Sequence, residues 1–303
     1  GGCALGVRPI NFHLKGFSKM GAKYKLNKGY VNISARRGLK GKVYNFPKIT
    51  VTGTSNLIMS AVLSEGKTIL KNIAIEPEII DLINFLKKGG AKVYFLKKRT
   101  IKIIGVKSLK SVNHSVVGDR IEAFSYLCVG AITRGKVKVN NINPKHLPKE
   151  LEILKKMGCK IKIDNFSIGI DAKRKLKPVS IKSGPWPKFA TDNLPILIAV
   201  LTTIDGKSKV EENVFSQRFQ CVPELKRMVA SIKIKKNTAT IIGKKLLSAE
   251  CICSDLRTAF AIILGAIAAT GISKIFRVYH SKRGYYQLPK KLKKLGINIK
   301  AVS

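Results

Sequence analysis

The chain has 303 residues, 45% of them hydrophobic, and a formal net charge of +41 at pH 7. That length and apolar content suit two globular domains, each with its own core, and exclude a disordered or collagen-like chain. Only 12 of the 58 basic residues are Arg and the lysines are spread over every segment, so the charge reads as solvated surface and no nucleic-acid partner is expected.

In chain order, residues 1–9 come first, a glycine-rich run with Cys3 five residues before Arg8. Glycines let a ligand approach the backbone, and a nearby guanidinium stabilises a thiolate. A small buried Cys in a tight turn is the other reading of those nine residues. Amphipathic helices are then expected to end in Gly-Ala-Lys-type turns at 19–23, 88–92, 156–160, 227–230 and 294–297, spaced by 69, 68, 71 and 67 residues. Between them lie more fully apolar helices at 55–64, 121–132, 193–203 and 256–269, closed by Gly66, Gly135, Gly206 and Gly271. Apolar residues on nearly all faces predict that these four are buried, with sheets packed around them. Strands are expected at 136–139, 160–163 and 297–302. Each unit reads strand, buried helix, strand, amphipathic helix, strand, strand.

The buried helices start in a recurring polar way: Thr52-Gly53-Thr54-Ser55-Asn56, Gly118-Asp119-Arg120, Thr191-Asp192-Asn193 and Ser254-Asp255-Leu256-Arg257. All four read as N-caps. Equivalent helix starts brought to one region would also form an anion site from their free N–H groups and dipoles, which favours a phosphate- or carboxylate-bearing ligand. Glu76-Pro77-Glu78 reads as a helix opening, and Asp119 and Glu122 as further structural acids. The six Cys and four His make no CxxC pair or metal-ligand spacing, so no metal or cofactor is expected. The apolar runs at 194–204 and 259–270 are too short to span a bilayer, and reduced thiols suit a cytoplasmic protein.

Eight strings stand in order along the chain: the loop of residues 1–9, Val51-Thr52-Gly53-Thr54, Glu76-Pro77-Glu78, Asp119-Arg120-Ile121-Glu122, Phe189-Ala190-Thr191-Asp192, Arg218-Phe219 with Val222-Pro223-Glu224-Leu225, Ser254-Asp255-Leu256-Arg257, and Arg283-Gly284-Tyr285. Together they resemble the enolpyruvyl transferase family, in its UDP-N-acetylglucosamine 1-carboxyvinyltransferase branch, over essentially the whole chain. The resemblance implies a mixed α/β fold, a two-domain inside-out α/β barrel of βαβαββ units, with a first domain at 1–117 and a second at 118–303. Six such units need roughly 420 residues, so it also implies roughly 110–120 residues ahead of Gly1, including a phosphoenolpyruvate-binding Lys, and a chain inactive and poorly soluble without them.

The implied reaction moves enolpyruvate from phosphoenolpyruvate to the 3-hydroxyl of UDP-N-acetylglucosamine by addition and elimination. This is the first committed step of peptidoglycan synthesis. By resemblance, Asp192 is the base and Cys3 the loop acid, and Cys3 is also the target of fosfomycin. Arg8, Arg218, Arg257 and Arg283 resemble the arginines around phosphoenolpyruvate. Arg8, Pro9, Ile10, Asn11 and Phe12, with Lys48, Ile49, Thr50 and Val51, match segments that hold the uridine nucleotide, and Asp192 and Val214 match further sugar-nucleotide contacts. Asn11 stands where the family often has Asp. Two other readings are a 5-enolpyruvylshikimate-3-phosphate synthase-like enzyme, disfavoured by Cys3, and a non-enzymatic basic protein that binds polyanions.

Overall fold

The structure, a computed structural model, describes residues 9–215 and 217–302, so Cys3 and Arg8 lie outside the described residues. The chain divides into two compact units, and passes from the first to the second between Val117 and Gly118.

In the first unit, α1 (Asn11–Lys19) leads into a hairpin of β1 (Lys23–Asn27) and β2 (Tyr30–Ser34). A complete copy of the repeat follows: β3 (Val43–Asn45), α2 (Val51–Val62), β4 (Lys67–Lys71), α3 (Pro77–Lys88), β5 (Lys92–Lys97) and β6 (Thr100–Ile104). Its sheet has the order β3-β4-β6-β5, with β3 parallel to β4 and the rest antiparallel. The parallel pair needs a crossover, and α2 supplies it. Leu57, Ile58, Ala61 and Val62 of α2 are completely buried, whereas Thr52, Ser55, Asn56, Met59 and Ser60 lie on a more open side, so α2 is buried on one face and not, as expected, all round.

The second unit opens with α4 (Arg120–Ile132), β7 (Lys136–Asn140), α5 (Pro148–Lys156), β8 (Lys160–Asp164) and β9 (Ser167–Asp171). A second complete copy follows: β10 (Ser180–Lys182), α6 (Leu194–Leu201), β11 (Lys207–Glu211), α7 (Cys221–Arg227), β12 (Ser231–Lys235) and β13 (Thr238–Ile242). Its sheet order, β10-β11-β13-β12, repeats that of the first unit. Then come β14 (Glu250–Ile252), α8 (Leu256–Ala268), β15 (Lys274–Phe276) and α9 (Leu288–Lys294). The core is built on α4, α6 and α8, and every residue of α6 is buried.

The expected turns agree in kind and differ in detail. Gly21, Gly90, Gly158 and Gly296 are left-handed at the amphipathic-helix ends, and Val229 takes that conformation in the fifth. Gly66, Gly206 and Gly271 do the same after buried helices, but at the fourth such turn the left-handed residue is Arg134, not Gly135. The segment at 297–302 is not a strand, because no neighbour among the described residues offers it a hydrogen-bonding ladder.

One glycine position ties each complete copy together. After β13, a Cβ on Gly243 would lie 1.8 Å from the Ile204 carbonyl oxygen; after β6, one on Gly105 would lie 1.6 Å from that of Ser64. The corresponding residue after β9 is Ala172, in the copy whose turn is displaced onto Arg134. Gly243→Ala forces backbone against backbone, so it is expected to destabilise by on the order of 3 kcal/mol. Urea unfolding at constant m-value checks this.

Candidate active site

The site grows from the starts of the buried helices in the second unit. Asp119 caps α4, its carboxylate accepting from the N–H groups of Ile121 and Glu122. Asp255 caps α8 in the same way, accepting from Arg257 and Thr258. In the first unit the cap of α2 is Thr50, ahead of the expected Thr52, and it accepts from Gly53. Asp192 breaks the pattern. It sits in a 3-10 turn (Thr191–Asn193) before α6, and neither it nor any neighbour makes a side-chain cap.

Instead, the Asp192 carboxylate takes two arginines. Arg218 donates from Nη2 to Oδ1 at 2.8 Å, and Arg257 donates from Nε to Oδ2 at 3.1 Å. Both guanidinium groups are deep, with side chains 3% and 11% exposed, whereas Asp192 keeps 36% of its side-chain surface open. Burial alone would raise the Asp192 pKa. Arg257 and Arg218 outweigh it, and the carboxyl is held below its ordinary value. An ionised carboxylate between two buried forks is an anion-binding centre with one of its own anions already in place.

Each arginine is fixed from behind. Arg218 donates from Nε to the Thr191 hydroxyl at 3.0 Å and lies over the Phe215 ring. Arg257 donates from Nη1 to the Tyr285 hydroxyl at 3.3 Å. That hydroxyl is 2.9 Å from Ser125 Oγ, and Ser125 gives its proton to the Ile121 carbonyl in α4. Tyr285 is 2% exposed and stacks on Phe260 of α8 at 4.4 Å between ring centres. Of the four helix starts expected to converge, the three in this unit do so, linked through Asp192, Arg257 and Ser125.

The other expected residues are distributed as follows. Arg283 is exposed at the end of a 3-10 turn (Val278–Arg283) and makes no bond to Asp192. Val214 is 45% exposed, and its N–H donates to the Glu212 carboxylate. In the first unit, the start of α1 adjoins the start of α2: Tyr44 donates to the Phe12 carbonyl at 2.9 Å, and the His13 ring meets Asn56 at 2.9 Å and Thr52 at 3.4 Å. Pro9, Ile10, Asn11 and Lys48 are exposed, and Phe12, Ile49, Thr50 and Val51 are half-buried. Of the other acids, Glu122 pairs with Lys291 at 2.7 Å, and Glu76 and Glu78 flank the first-turn Pro77 of α3.

Sequence reasoning passed over Ser125, Glu150 and Glu212, and quoted Tyr285 without giving it a role. One signal was available: the chain has only 17 acids, so each of them is worth explaining. Cys128, Cys159, Cys221, Cys251 and Cys253 are all free and buried. Burial pushes the thiol pKa of Cys159 and Cys251 to about 11, and of Cys221 and Cys253 to about 12, so they are poor nucleophiles. Among the described residues no group of three or more His, Cys, Asp or Glu could hold a metal ion, and no helix is long and apolar enough to cross a membrane.

The family profile described as EPSP synthase (3-phosphoshikimate 1-carboxyvinyltransferase) matches residues 1–292. The chain belongs to this family. Within this carboxyvinyltransferase family, it is 45% identical to the UDP-N-acetylglucosamine 1-carboxyvinyltransferase of Pelagibacter ubique, over 100% of the chain and 73% of that protein. It is 44% identical to the enzyme of the same name from Endomicrobium trichonymphae, over 100% of the chain and 72% of that protein. Among solved structures, the enolpyruvyl transferase NikO of Streptomyces tendae superimposes with a TM-score of 0.88 at 21% identity, covering 97% of the chain and 72% of NikO. An EPSP synthase of Acinetobacter baumannii gives 0.78 at 20% identity, over 98% of the chain and 72% of its own. These two likenesses establish the mixed α/β fold.

Proposed function

We propose that the protein transfers enolpyruvate from phosphoenolpyruvate to the 3-hydroxyl of UDP-N-acetylglucosamine, the cytoplasmic step that opens peptidoglycan synthesis. The observation that carries this reading is the release of Asp192 from capping and its capture by Arg218 and Arg257. An aspartate so paired is a weak base at rest. Phosphoenolpyruvate brings a carboxylate and a phosphate that compete for the same guanidinium forks. As the arginines turn to the substrate, Asp192 loses its counter-charges and its proton affinity rises where the sugar hydroxyl must be deprotonated. The base is therefore strongest only when phosphoenolpyruvate is present.

In the same reading, Cys3 supplies the proton to the methylene carbon, and Arg8 and Arg283 add charge around phosphoenolpyruvate. Pro9, Ile10, Asn11, Phe12, Lys48, Ile49, Thr50, Val51 and Val214 hold the nucleotide sugar. The chemistry needs no cofactor. The sugar oxygen bonds to C2 of phosphoenolpyruvate as the methylene carbon gains a proton. The tetrahedral ketal collapses as the resulting methyl loses a proton and the C2–O bond to phosphate breaks, releasing inorganic phosphate. The names of the 45% and 44% identical relatives favour the sugar nucleotide over shikimate 3-phosphate as acceptor.

Fosfomycin tests the reading in the protein as its gene encodes it. Mass spectrometry is expected to find the adduct on Cys3, formed faster with UDP-N-acetylglucosamine than without it, and none on the five buried thiols. Adducts on Cys128 or Cys221 with Cys3 unlabelled, or acceleration by shikimate 3-phosphate in place of the sugar nucleotide, would overturn it.

A further inference from the structure

The turn that carries Asp192 is held by two buried carboxylates, one of which shares Thr191 with Arg218. Glu212, just beyond the end of β11, is 3% exposed. Its Oε2 accepts from the Thr191 hydroxyl at 2.7 Å. Its Oε1 accepts from the Ser183 hydroxyl at 3.0 Å, from the N–H of Phe215 at 2.9 Å and from the N–H of Val214. All four partners are donors. Glu150, on α5, is 1% exposed. Its Oε1 accepts from the Ala190 N–H and from Asn193 Nδ2, both at 3.1 Å. Two elements remote in sequence thus grip residues 190, 191 and 193, and leave residue 192 to face the arginines.

The Thr191 hydroxyl makes the grip directional. Its proton is committed to Glu212, so its lone pairs face Arg218 Nε at 3.0 Å. Glu212 thereby orients the guanidinium whose Nη2 meets Asp192. Through Val214 and Phe215 the same carboxylate also fixes the loop that follows β11.

We infer that Glu212 and Glu150 are positioning residues, which hold the 190–193 turn so that Asp192 and Arg218 meet at bonding distance. The catalytic part of this inference rests on the enolpyruvyl-transfer reading; the structural part does not. The two carboxylates differ in what can replace them. A glutamine at 212 keeps an oxygen for Ser183, Val214 and Phe215 but turns an NH₂ group toward Thr191, whose hydroxyl must then accept from residue 212 instead of giving it its proton. At 150 both donors use one oxygen, which a glutamine retains.

The test follows the Asp192 carboxyl by carbon-13 NMR titration in the protein as its gene encodes it, its signal identified by loss in Asp192→Asn. In the parent it is expected to titrate below the ordinary aspartate range. Glu212→Gln and Thr191→Val are expected to move it up by about one unit, as a misplaced guanidinium stabilises the carboxylate less. Thr191→Ser and Glu150→Gln are expected to leave it in place, and Glu150→Leu to move it. Thr191→Val is nearly isosteric, so it carries the test if Glu212→Gln does not fold. An unmoved Asp192 midpoint in folded Thr191→Val would overturn the inference. In the protein as its gene encodes it, Thr191→Val should also lower kcat about tenfold with little change in KM for UDP-N-acetylglucosamine. If the midpoint moves but the parent transfers no enolpyruvate, the positioning role stands and the functional reading falls.

Discussion

Replacing Asp192 by alanine is expected to lower turnover at least about a hundredfold while UDP-N-acetylglucosamine binding stays within about tenfold. A base acts in the transition state, so its loss falls on kcat. The bound sugar nucleotide keeps its contacts elsewhere. Steady-state kinetics, with the nucleotide affinity measured separately by calorimetry, check both halves. Unchanged turnover would reduce Asp192 to a counter-ion for Arg218 and Arg257. The same variant carries a stability signature. The folded-state pKa of Asp192 is depressed, so its pairing stabilises the protein above the unfolded-state value, near 3.8, and that share is lost as pH falls through the folded-state pKa. Alanine should therefore flatten the acid limb of the stability profile. The loss near neutral pH is expected to be about 1–2 kcal/mol, at the low end for a buried pair because a third of Asp192 meets solvent.

Phe260→Ala is expected to have the largest effect on stability, on the order of 3–5 kcal/mol. Phe260 is completely buried in α8, lies edge-on to Tyr126 at 5.8 Å and stacks on Tyr285 at 4.4 Å. Its removal opens a cavity where α4 meets α8 and takes away the floor beneath the tyrosine that accepts from Arg257. Urea titration should show a lower midpoint with the m-value retained. Turnover should fall too, because Tyr285 can then tilt and carry Arg257 with it. A stability loss with full activity would mean that the Tyr285–Arg257 bond has no bearing on the chemistry. Phe260→Leu, which refills most of the volume, should recover much of the stability and less of the turnover.

How far the sequence could be read depends on the range of the interaction concerned. The buried helices are legible from composition alone: α4, α6 and α8 carry apolar side chains all round because sheets or helices cover every face. The left-handed glycines after amphipathic helices are legible for an equally local reason. Val229 and Arg134 are not, because the surrounding turn imposes a conformation that their own sequence does not favour. The segment at 297–302 has a strand's alternation, yet becomes a strand only with a partner, and pairing is set outside the segment.

The site follows the same division. Asp119 and Asp255 do what an Asp at a helix start is expected to do. Asp192 sits in the same kind of string, but partners 26 and 65 residues away claim its carboxylate. Nothing local distinguishes it from its two capping counterparts. Glu150 and Glu212 are harder still, since their partners lie on other elements and their own neighbourhoods look like an ordinary helix turn and strand end. Resemblance to a family points to Asp192, Arg218 and Arg257; it says nothing of the residues that hold them.

The most direct measurement is phosphate release from phosphoenolpyruvate by the protein as its gene encodes it, with UDP-N-acetylglucosamine or shikimate 3-phosphate as acceptor. Release is expected to depend on UDP-N-acetylglucosamine and to be abolished by Asp192→Ala. Release driven by shikimate 3-phosphate alone, or sugar-nucleotide-dependent release that survives the loss of Asp192, would contradict this expectation.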